Sequence, residues 1–352
     1  MFITGLGTAV PATKYRQAEC WDVLQASKIF GELQPRSRAI LKKVLLGNNG
    51  IATRHLALNS LHEAFEMTPD ALHARFAEHA PALATAAAER ALTNAGLAKE
   101  SIDGVLISTC TGYLCPGLTS YVSERLGLRP DVIALDLVGQ GCVAALPNLR
   151  MGEALLSSRR CQHVLSVCVE ICSAAMYIDD DPGVLISACL FGDAAGAAVL
   201  STGPAAQTRP VEWLAADSVL NPSARDLLRF EQRQGMLRNI LTPAVPALAA
   251  EHAQRVFQKV TQAAGVKQEQ IKAWIWHAGG RDILLALKES FRLADEDLRW
   301  SATVLRDLGN ISSSCVYHVL QRAMNSPAGY WWLGAFGAGF SSQGALLRVG
   351  EP

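Results

Sequence analysis

Three polar residues, Cys142, His277 and Asn310, have the types and local settings that acyl-transfer chemistry requires. Cys142 follows the glycine-containing segment 136–141 and directly precedes a predicted helix, whose positive end favours a thiolate. His277 follows the apolar strand 274–276 and precedes two glycines that keep its imidazole at the edge of a cavity. An imidazolium beside Cys142 is expected to lower the pKa of the thiol further. The sequence therefore predicts a cysteine nucleophile that carries an acyl group.

Asn310 supplies an amide that donates a hydrogen bond at any pH, because the group does not titrate. Together with His277 it could form an oxyanion hole for the carbonyl oxygen of a thioester. Such a pair suits decarboxylation of a malonyl thioester, because both donors stabilise the enolate oxygen. The carbanion then attacks the acyl group on Cys142, so the predicted reaction is a decarboxylative Claisen condensation.

Each of the three residues also has an ordinary structural explanation. Cys142 is compatible with a buried thiol, His277 with a core histidine and Asn310 with a helix cap. The combination favours catalysis, because Cys142 lies at a glycine turn before a helix and an internal repeat relates that turn to Asn310.

The internal repeat consists of two copies of one α/β unit. Residues 95–108 align without a gap with residues 264–277, at a shift of 169 (264 − 95). Both copies predict an amphipathic helix, an Ala-Gly helix end, a polar turn and an apolar strand. The same shift relates Gly141 to Asn310. Both positions lead into predicted helices, at 143–157 and 312–324. The two turns are expected to face each other across a pseudo-twofold axis, which brings Cys142 and Asn310 together.

A later pair of matching segments, 192–199 and 339–346, is related by a smaller shift of 147 (339 − 192), so the second copy lacks an insertion. The insertion is predicted to include 176–183, which reads as a loop. Its three consecutive acids could suggest a metal site. Adjacent carboxylates are poorly placed to surround an ion, so a solvated loop is favoured and no metal is expected.

The boundary between the copies is predicted in the connector 201–209. This divides the chain into an N-terminal half, 1–205, that carries the nucleophilic cysteine and a C-terminal half, 206–352, that carries the histidine and the asparagine. Alternating strands and helices in both halves indicate a layered α/β architecture.

Composition excludes several classes of function. The 352 residues contain 32 Lys plus Arg and 32 Asp plus Glu, so no net field attracts nucleic acid or an anionic membrane. The nine cysteines include no CxxC pair and no zinc-site spacing, which indicates a reduced, cytoplasmic protein. No signal peptide or membrane-spanning run is recognised.

The sequence resembles the type III polyketide synthases, the chalcone and stilbene synthase-like family, over nearly its whole length. The resemblance rests on the motifs Gly139-Gln140-Gly141-Cys142, Leu190-Phe191-Gly192-Asp193, His277-Ala278-Gly279-Gly280 and Gly309-Asn310-Ile311-Ser312-Ser313. It implies a thiolase-like fold whose two pseudo-equivalent halves form a five-layered αβαβα core. It also implies an acyl-carrying Cys142, a decarboxylating pair of His277 and Asn310, and a gatekeeper Phe191 between the thioester tunnel and the cavity.

By the same resemblance, the substrates are malonyl-CoA and an acyl-CoA or acyl-carrier-protein starter, no cofactor is needed, and the product is a pyrone, a resorcinol or a related aromatic compound. A homodimer is implied too, formed around the segment that holds Cys115. Chain-initiating 3-oxoacyl-carrier-protein synthases share the fold and the triad but show His-Gln-Ala-Asn at the histidine motif. They are the main alternative, and a non-catalytic binding protein of the same fold is another.

Several positions depart from plant members of the family. The Gly-Phe-Gly-Pro-Gly loop is replaced by Ala335-Phe336-Gly337-Ala338-Gly339, which lacks the proline. The resemblance assigns substrate contacts to Phe191, Cys110, Thr111, Cys172, Ala175, Ser312 and Gly339. Small, weakly polar walls suggest a starter with an aliphatic or bulky apolar part, or a different folding of the growing chain. The basic residues that contact CoA phosphates in plant members do not match one to one, and the nearby candidates are Lys42, Lys43 and Arg54.

Overall fold

The computed structural model describes residues 1–206 and 208–351. Within these residues the strands are β1 (Phe2–Ala9), β2 (Lys14–Arg16), β3 (Thr53–His55), β4 (Gly104–Thr109), β5 (Ile133–Val138), β6 (His163–Glu170), β7 (Ala194–Ser201), β8 (Val211–Leu220), β9 (Leu228–Arg233), β10 (Met236–Leu241), β11 (Ile271–Trp276), β12 (Gly329–Gly337) and β13 (Ser341–Val349). The helices are α1 (Gln17–Gln25), α2 (Lys28–Glu32), α3 (Pro35–Leu46), α4 (Pro69–Ala95), α5 (Leu118–Leu126), α6 (Ala145–Ser157), α7 (Pro182–Leu190), α8 (Val245–Ala264), α9 (Arg281–Phe291), α10 (Arg299–Leu308) and α11 (Cys315–Ala323).

The large sheet of the described chain has the strand order β11-β12-β13-β8-β1-β7-β6-β4-β5. Strands β1 and β8 pair over a short stretch, and a group of strands extends from this pair on either side. The two groups have the strand orders β1-β7-β6-β4 and β8-β13-β12-β11. In each group the first two pairings are antiparallel and the third is parallel. Strand β5 extends the first group at its edge. The predicted pair of pseudo-equivalent halves is therefore confirmed.

The helices form three layers around the two groups of strands. Helix α4 packs on β1, β7 and β6, and helix α8 packs on β8, β13 and β12. Helices α6 and α11 lie between the groups, because each contacts strands of both halves. This gives the expected αβαβα arrangement, with the largest apolar core around the two central helices and α8. Among the described residues, no helix combines the length and the apolar character that crossing a membrane requires.

Both copies of the repeat show the predicted helix end. Helix α4 ends at Ala95 and is followed by Gly96 with φ 64°, and helix α8 ends at Ala264 and is followed by Gly265 with φ 66°. The left-handed conformation suits glycine because a side chain there is strained. A short turn then leads into strand β4 in one copy and β11 in the other.

The predicted loop 176–183 is too long by two residues. Residues 176–181 are extended, but Pro182 and Gly183 begin α7, because Asp181 accepts hydrogen bonds from the backbone N–H groups of Gly183 (2.8 Å) and Val184 (3.3 Å). Proline is well tolerated at the first helical position. The boundary between residues 205 and 206 stays a prediction. One residue of the connector 201–209, Gln207, lies outside the described residues.

Candidate active site

Cys142 lies in a tight turn between a strand and a helix, as predicted. Strand β5 ends at Val138, the backbone turns through Gly139 and Gly141 with φ of 80° and 58°, and a short 3-10 turn, Gly141–Val143, leads into α6. This turn presents the side chain of Cys142 at the start of a central helix, where part of its surface stays accessible.

Asn310 occupies the corresponding turn of the second half. Its backbone N–H donates to the carbonyl of Leu190 (2.9 Å), and its carbonyl accepts from the N–H of Gly192 (3.0 Å), so it is held against Phe191. The side-chain orientation is fixed by two further contacts. Nδ2 donates to the carbonyl of Gly279 (3.0 Å), and Oδ1 accepts from the N–H of Ser312 (2.9 Å). One N–H of the amide is left for a substrate, because an amide nitrogen carries two.

A chain of hydrogen bonds connects Cys142 and Asn310 and reaches the turn after His277. Ser312 Oγ lies 3.4 Å from the Sγ atom of Cys142, and the Ser312 backbone donates to Asn310. Asn310 in turn donates to Gly279, two residues beyond His277. The two halves of the chain thus build one site, as the repeat predicts.

His277 follows β11 and is almost fully buried, with 1% of its surface exposed. Its backbone N–H donates to Gly334 (2.8 Å), and its ring packs edge-on against Phe336 at 5.4 Å between centroids. Within the described part of the chain, its Nδ1 atom has no hydrogen-bond partner. A buried polar atom without a partner is costly, so this imidazole retains hydrogen-bonding capacity for a ligand.

The protein surroundings disfavour an isolated charge on either Cys142 or His277. Burial raises the pKa of Cys142 to about 12, although the hydrogen bond from Ser312 opposes this rise. Burial also lowers the pKa of His277 to about 3. For the lone thiol, burial therefore outweighs any lowering of the pKa by the helix end. A proton shift from Cys142 to His277 gives a thiolate and an imidazolium with no net charge, which burial penalises less than a single ion.

Glu170 is a member of the site that sequence reasoning missed. It ends strand β6, is fully buried and accepts hydrogen bonds from Thr111 Oγ1 (2.9 Å), Ser313 Oγ (2.5 Å) and Ser312 Oγ (3.3 Å). Burial raises its pKa. The only hint in the sequence is an acid that ends an otherwise apolar strand, where a charged residue is rare unless it is hydrogen-bonded.

A small cavity of about 30 Å³ lies beside Ser312. Five of the predicted substrate residues line it: Phe191, Thr111, Cys172, Ala175 and Ser312. Cys110 lies next to this group, with its Sγ 3.3 Å from a carboxylate oxygen of Glu170 and 3.5 Å from Ser312 Oγ. The predicted contact of Gly339 with the substrate stays a prediction. This glycine lies in the turn between β12 and β13, beside Leu220.

The end of strand β12 packs against the turn that holds Cys142, which we name the nucleophile turn. A Cβ atom on Gly337 would lie 2.8 Å from the backbone nitrogen of Val143 and 3.1 Å from that of Cys142. Only glycine fits there, because real Cβ atoms do not approach backbone so closely. The signal in the sequence is the glycine-rich segment 335–339, which contains both Gly337 and Gly339.

Replacing Gly337 by alanine is expected to move Cys142 and lower the condensation rate about 100-fold, the effect of a displacement near 1 Å. The rate with saturating malonyl-CoA tests this. Gly31→Ala is the matched control, because nothing lies within 4 Å of its added Cβ. Equal rates in both variants would show that the close packing behind Cys142 does not matter.

A larger cavity of about 730 Å³ opens to the surface and reaches the turn after His277. Its inner wall includes Gly279 and Leu190, and its rim includes Lys43 and Arg281. Leu190 lines this cavity and the next residue, Phe191, lines the small one, so this segment lies between the two.

The three basic residues predicted to contact CoA differ in their placement. Lys43 is exposed on the rim of the larger cavity, and Lys42 is exposed on the same helix. Arg54 contradicts the prediction. It is 3% exposed, and its guanidinium donates to Gln17, to the carbonyl of Ala188 and to that of Phe191. Its contacts hold the Phe191 segment in place, and this excludes a phosphate-binding role.

Comparison with known proteins agrees with this geometry. The model of the FAE1/type III polyketide synthase-like protein family matches residues 9–216, and the model of the chalcone and stilbene synthase C-terminal domain matches residues 215–348. A 1,3,6,8-tetrahydroxynaphthalene synthase from Streptomyces peucetius subsp. caesius is 30% identical over 98% of this chain and 92% of its own length. A 3,5-dihydroxyphenylacetyl-CoA synthase from Streptomyces toyocaensis is 28% identical over 98% of this chain and 89% of its own length.

Solved structures show the same fold. The polyketide synthase PKS-I of the brown alga Ectocarpus siliculosus superposes with a TM-score of 0.89 at 22% identity, over 99% of this chain and 97% of its own. The tetrahydroxynaphthalene synthase of Streptomyces coelicolor A3(2) superposes with a TM-score of 0.88 at 22% identity over the whole of both chains. These matches do not favour the chain-initiating synthases. The chain belongs to the type III polyketide synthases, the acyltransferase family that includes the chalcone and stilbene synthases.

Proposed function

We propose that this enzyme condenses malonyl-CoA with an acyl-thioester starter held on Cys142, and that its product is an aromatic polyketide, a pyrone or a resorcinol. The observation that carries the proposal is the hydrogen-bonded chain from Cys142 through Ser312 and Asn310 to the turn after His277. Purified enzyme incubated with malonyl-CoA and a panel of acyl-CoAs, followed by mass spectrometry of the products, tests it. Failure to form any carbon–carbon bond with the whole panel would contradict it.

Loading of the starter begins with proton transfer from Cys142 to His277. The sulfur attacks the thioester carbonyl carbon of the acyl-CoA, the tetrahedral intermediate collapses, and the C–S bond to CoA breaks. The proton on His277 then passes to the departing CoA thiolate. Charge appears only as an ion pair, which fits a site where burial disfavours either ion alone.

Decarboxylation follows when malonyl-CoA enters the same site. Its thioester oxygen accepts hydrogen bonds from the neutral imidazole of His277 and from the free amide N–H of Asn310, carbon dioxide leaves, and the electron pair forms an enolate. The enolate carbon attacks the acyl carbon on Cys142, and the C–S bond to the enzyme breaks. The low pKa of His277 keeps the ring neutral at this step. Each donor contributes roughly 3 kcal/mol to the transition state.

The thioester substrates enter through the larger cavity, whose walls include residues of α3 and of the turn after His277. Lys43 and Arg281 on its rim supply positive charge for phosphate groups. We propose that Phe191 gates passage to the small cavity, because it lies between the two. The proposed steps transfer only acyl groups, carbon dioxide and protons, so none of them requires a cofactor. All nine cysteines are free, in keeping with a reduced, cytoplasmic setting.

The size of the small cavity favours a short starter over a bulky apolar one. Its accessible volume of about 30 Å³ is on the order of one water molecule's share of liquid volume. Tyr177, Met176 and Phe230 occupy the space around it. Among acyl groups, a short one such as acetyl requires the least displacement of these walls, so we propose a short acyl group as the starter.

We further propose a homodimer that forms along β5. This strand is the edge of the sheet, and its side chains Leu135 and Val138 are 37% and 59% exposed. Tyr113, 70% exposed, lies close in sequence to Cys115, which is exposed as well. An uncovered apolar edge strand favours pairing with a second copy.

Charge introduced at this edge is expected to separate the subunits. Wild-type protein should show twice the chain mass of 37.7 kDa by light scattering at micromolar concentration, and Val138→Glu should show the single mass. Leu285→Lys is the matched control, because Leu285 is 46% exposed on the outer helix α9. A wild-type protein of single mass would contradict the proposed dimer.

A further inference from the structure

Part of the wall of the small cavity comes from two segments that pack against each other. Met176 and Tyr177 belong to the extended segment 176–181 that leads into α7. Phe230 and Asn239 belong to the hairpin of β9 and β10. The position of the hairpin relative to the segment therefore sets how much room an acyl group has.

Arg238 joins the two segments on the side away from the cavity. Neighbouring residues of a strand point to opposite faces, so Asn239 lines the cavity and Arg238 lies behind it. Its Nη2 donates to Asp181 Oδ2 (2.6 Å), and its Nη1 donates to Glu231 Oε1 (2.8 Å). Its Nε lies 3.9 Å from Asp179 Oδ2. We name these four residues the Arg238 cluster.

Within the Arg238 cluster the arginine is largely buried and its acidic partners are about a third exposed. The side chain of Arg238 is 14% exposed, and those of its three acidic partners are 31% to 35% exposed. Without the guanidinium, Asp179 and Asp181 would lose the cation that ties them to the hairpin, and Glu231 would keep only its pair with Arg229 on the hairpin itself. With this tie lost, the hairpin would be free to move away from the segment.

Asp181 extends the effect to the helix. Its other carboxylate oxygen accepts from the N–H groups that begin α7, and α7 supplies Val184 and Ser187 to the cavity wall. A single arginine thus holds three wall elements together: the hairpin, the extended segment and the start of α7.

We infer that Arg238 is a positioning residue for starter selection, which excludes long acyl groups by holding the hairpin against the segment 176–181. This rests on the proposed function, because it concerns the acyl group that the cavity receives. Arg238 does not touch the reacting atoms, and its loss should leave decarboxylation unchanged.

The test compares Arg238→Gln with Arg229→Gln in the full chain. Arg229 is the matched control, because it also pairs with Glu231 (3.1 Å) and with Asp226 (3.5 Å) but contacts no residue of the segment 176–181. The readout is the ratio of kcat/KM for hexanoyl-CoA to that for acetyl-CoA as starter. We expect Arg238→Gln to raise this ratio about tenfold, at the low end of the discrimination that pocket size gives. Arg229→Gln should leave it within about twofold of the wild type, the range of a weak surface contact.

Arg238→Lys keeps the charge but cannot bind two carboxylates in the same geometry, so it should give a ratio between those of the wild type and Arg238→Gln. Arg238→Lys also provides the test if Arg238→Gln does not fold. An unchanged ratio in a folded Arg238 variant, or an equal rise in Arg229→Gln, would overturn the inference. Release of carbon dioxide from malonyl-CoA needs no starter, so its absence in the wild type would count against the proposed function instead.

Discussion

Replacing Asn310 by alanine is expected to lower the release of carbon dioxide from malonyl-CoA by about 100- to 1,000-fold, the usual effect of removing one oxyanion donor. In the proposed mechanism one amide N–H of Asn310 donates to the enolate oxygen, because the other N–H already donates to the carbonyl of Gly279. Acylation of Cys142 should change much less, because loading depends on proton transfer to His277.

An isosteric variant separates the loss of the donor from a change of shape. Asn310→Asp keeps an oxygen to accept from Ser312 but has no N–H to donate, so it should lose decarboxylation as well. Radiolabelled malonyl-CoA gives the rate, and a thermal melt shows whether each variant is folded. Decarboxylation at near the wild-type rate in folded Asn310→Ala would return Asn310 to the role of a helix cap.

The second large effect concerns the reactivity of Cys142 in His277→Ala. Without the imidazole the thiol has no proton acceptor, and burial leaves its pKa at about 12. The thiolate fraction at pH 7 is then on the order of 10⁻⁵. Because the pKa is raised, the thiol is neutral at lower pH and gains charge only as the pH rises. The alkylation rate of Cys142 should therefore increase tenfold per pH unit from pH 7 to pH 10.

Wild-type enzyme should behave differently, because His277 can take the proton. We expect alkylation of Cys142 by iodoacetamide at pH 7 to be at least about 100-fold faster than in His277→Ala, the advantage that a paired histidine gives a cysteine. Mass spectrometry of the digested peptides measures the alkylation of Cys142 separately from that of the eight other cysteines. Identical rates and pH slopes in the two proteins would show that His277 does not activate the thiol.

The helix ends and turns that the repeat predicted are present in both halves, because helix ends, turns and apolar strands are local features. The shift of 169 correctly matched Gly96 with Gly265, and both adopt the left-handed conformation at a helix end. The repeat does not predict which parts of the protein pack around each catalytic side chain. The pKa of Cys142 depends on the protein packed around it, which raises it although the local helix end favours a thiolate.

Long-range contacts account for the errors. Arg54 looked like a phosphate ligand because it is basic and near Lys43 in sequence, yet its partners Ala188 and Phe191 are more than 130 residues away along the chain. Glu170 was missed for the same reason, since its partner Ser313 comes from the other half. In the segment 335–339, Gly337 packs against the nucleophile turn through contacts with residues about 200 positions earlier in the chain.

The claim that Cys142 carries the acyl chain is tested most directly by the intact mass of the protein after incubation with an acyl-CoA. Wild-type enzyme and Cys110→Ala should both gain the mass of one acyl group, and Cys142→Ala should gain none. Cys110 is the decisive control because it is the thiol that shares Ser312 with Cys142. An adduct that persists in Cys142→Ala and disappears in Cys110→Ala would contradict the account.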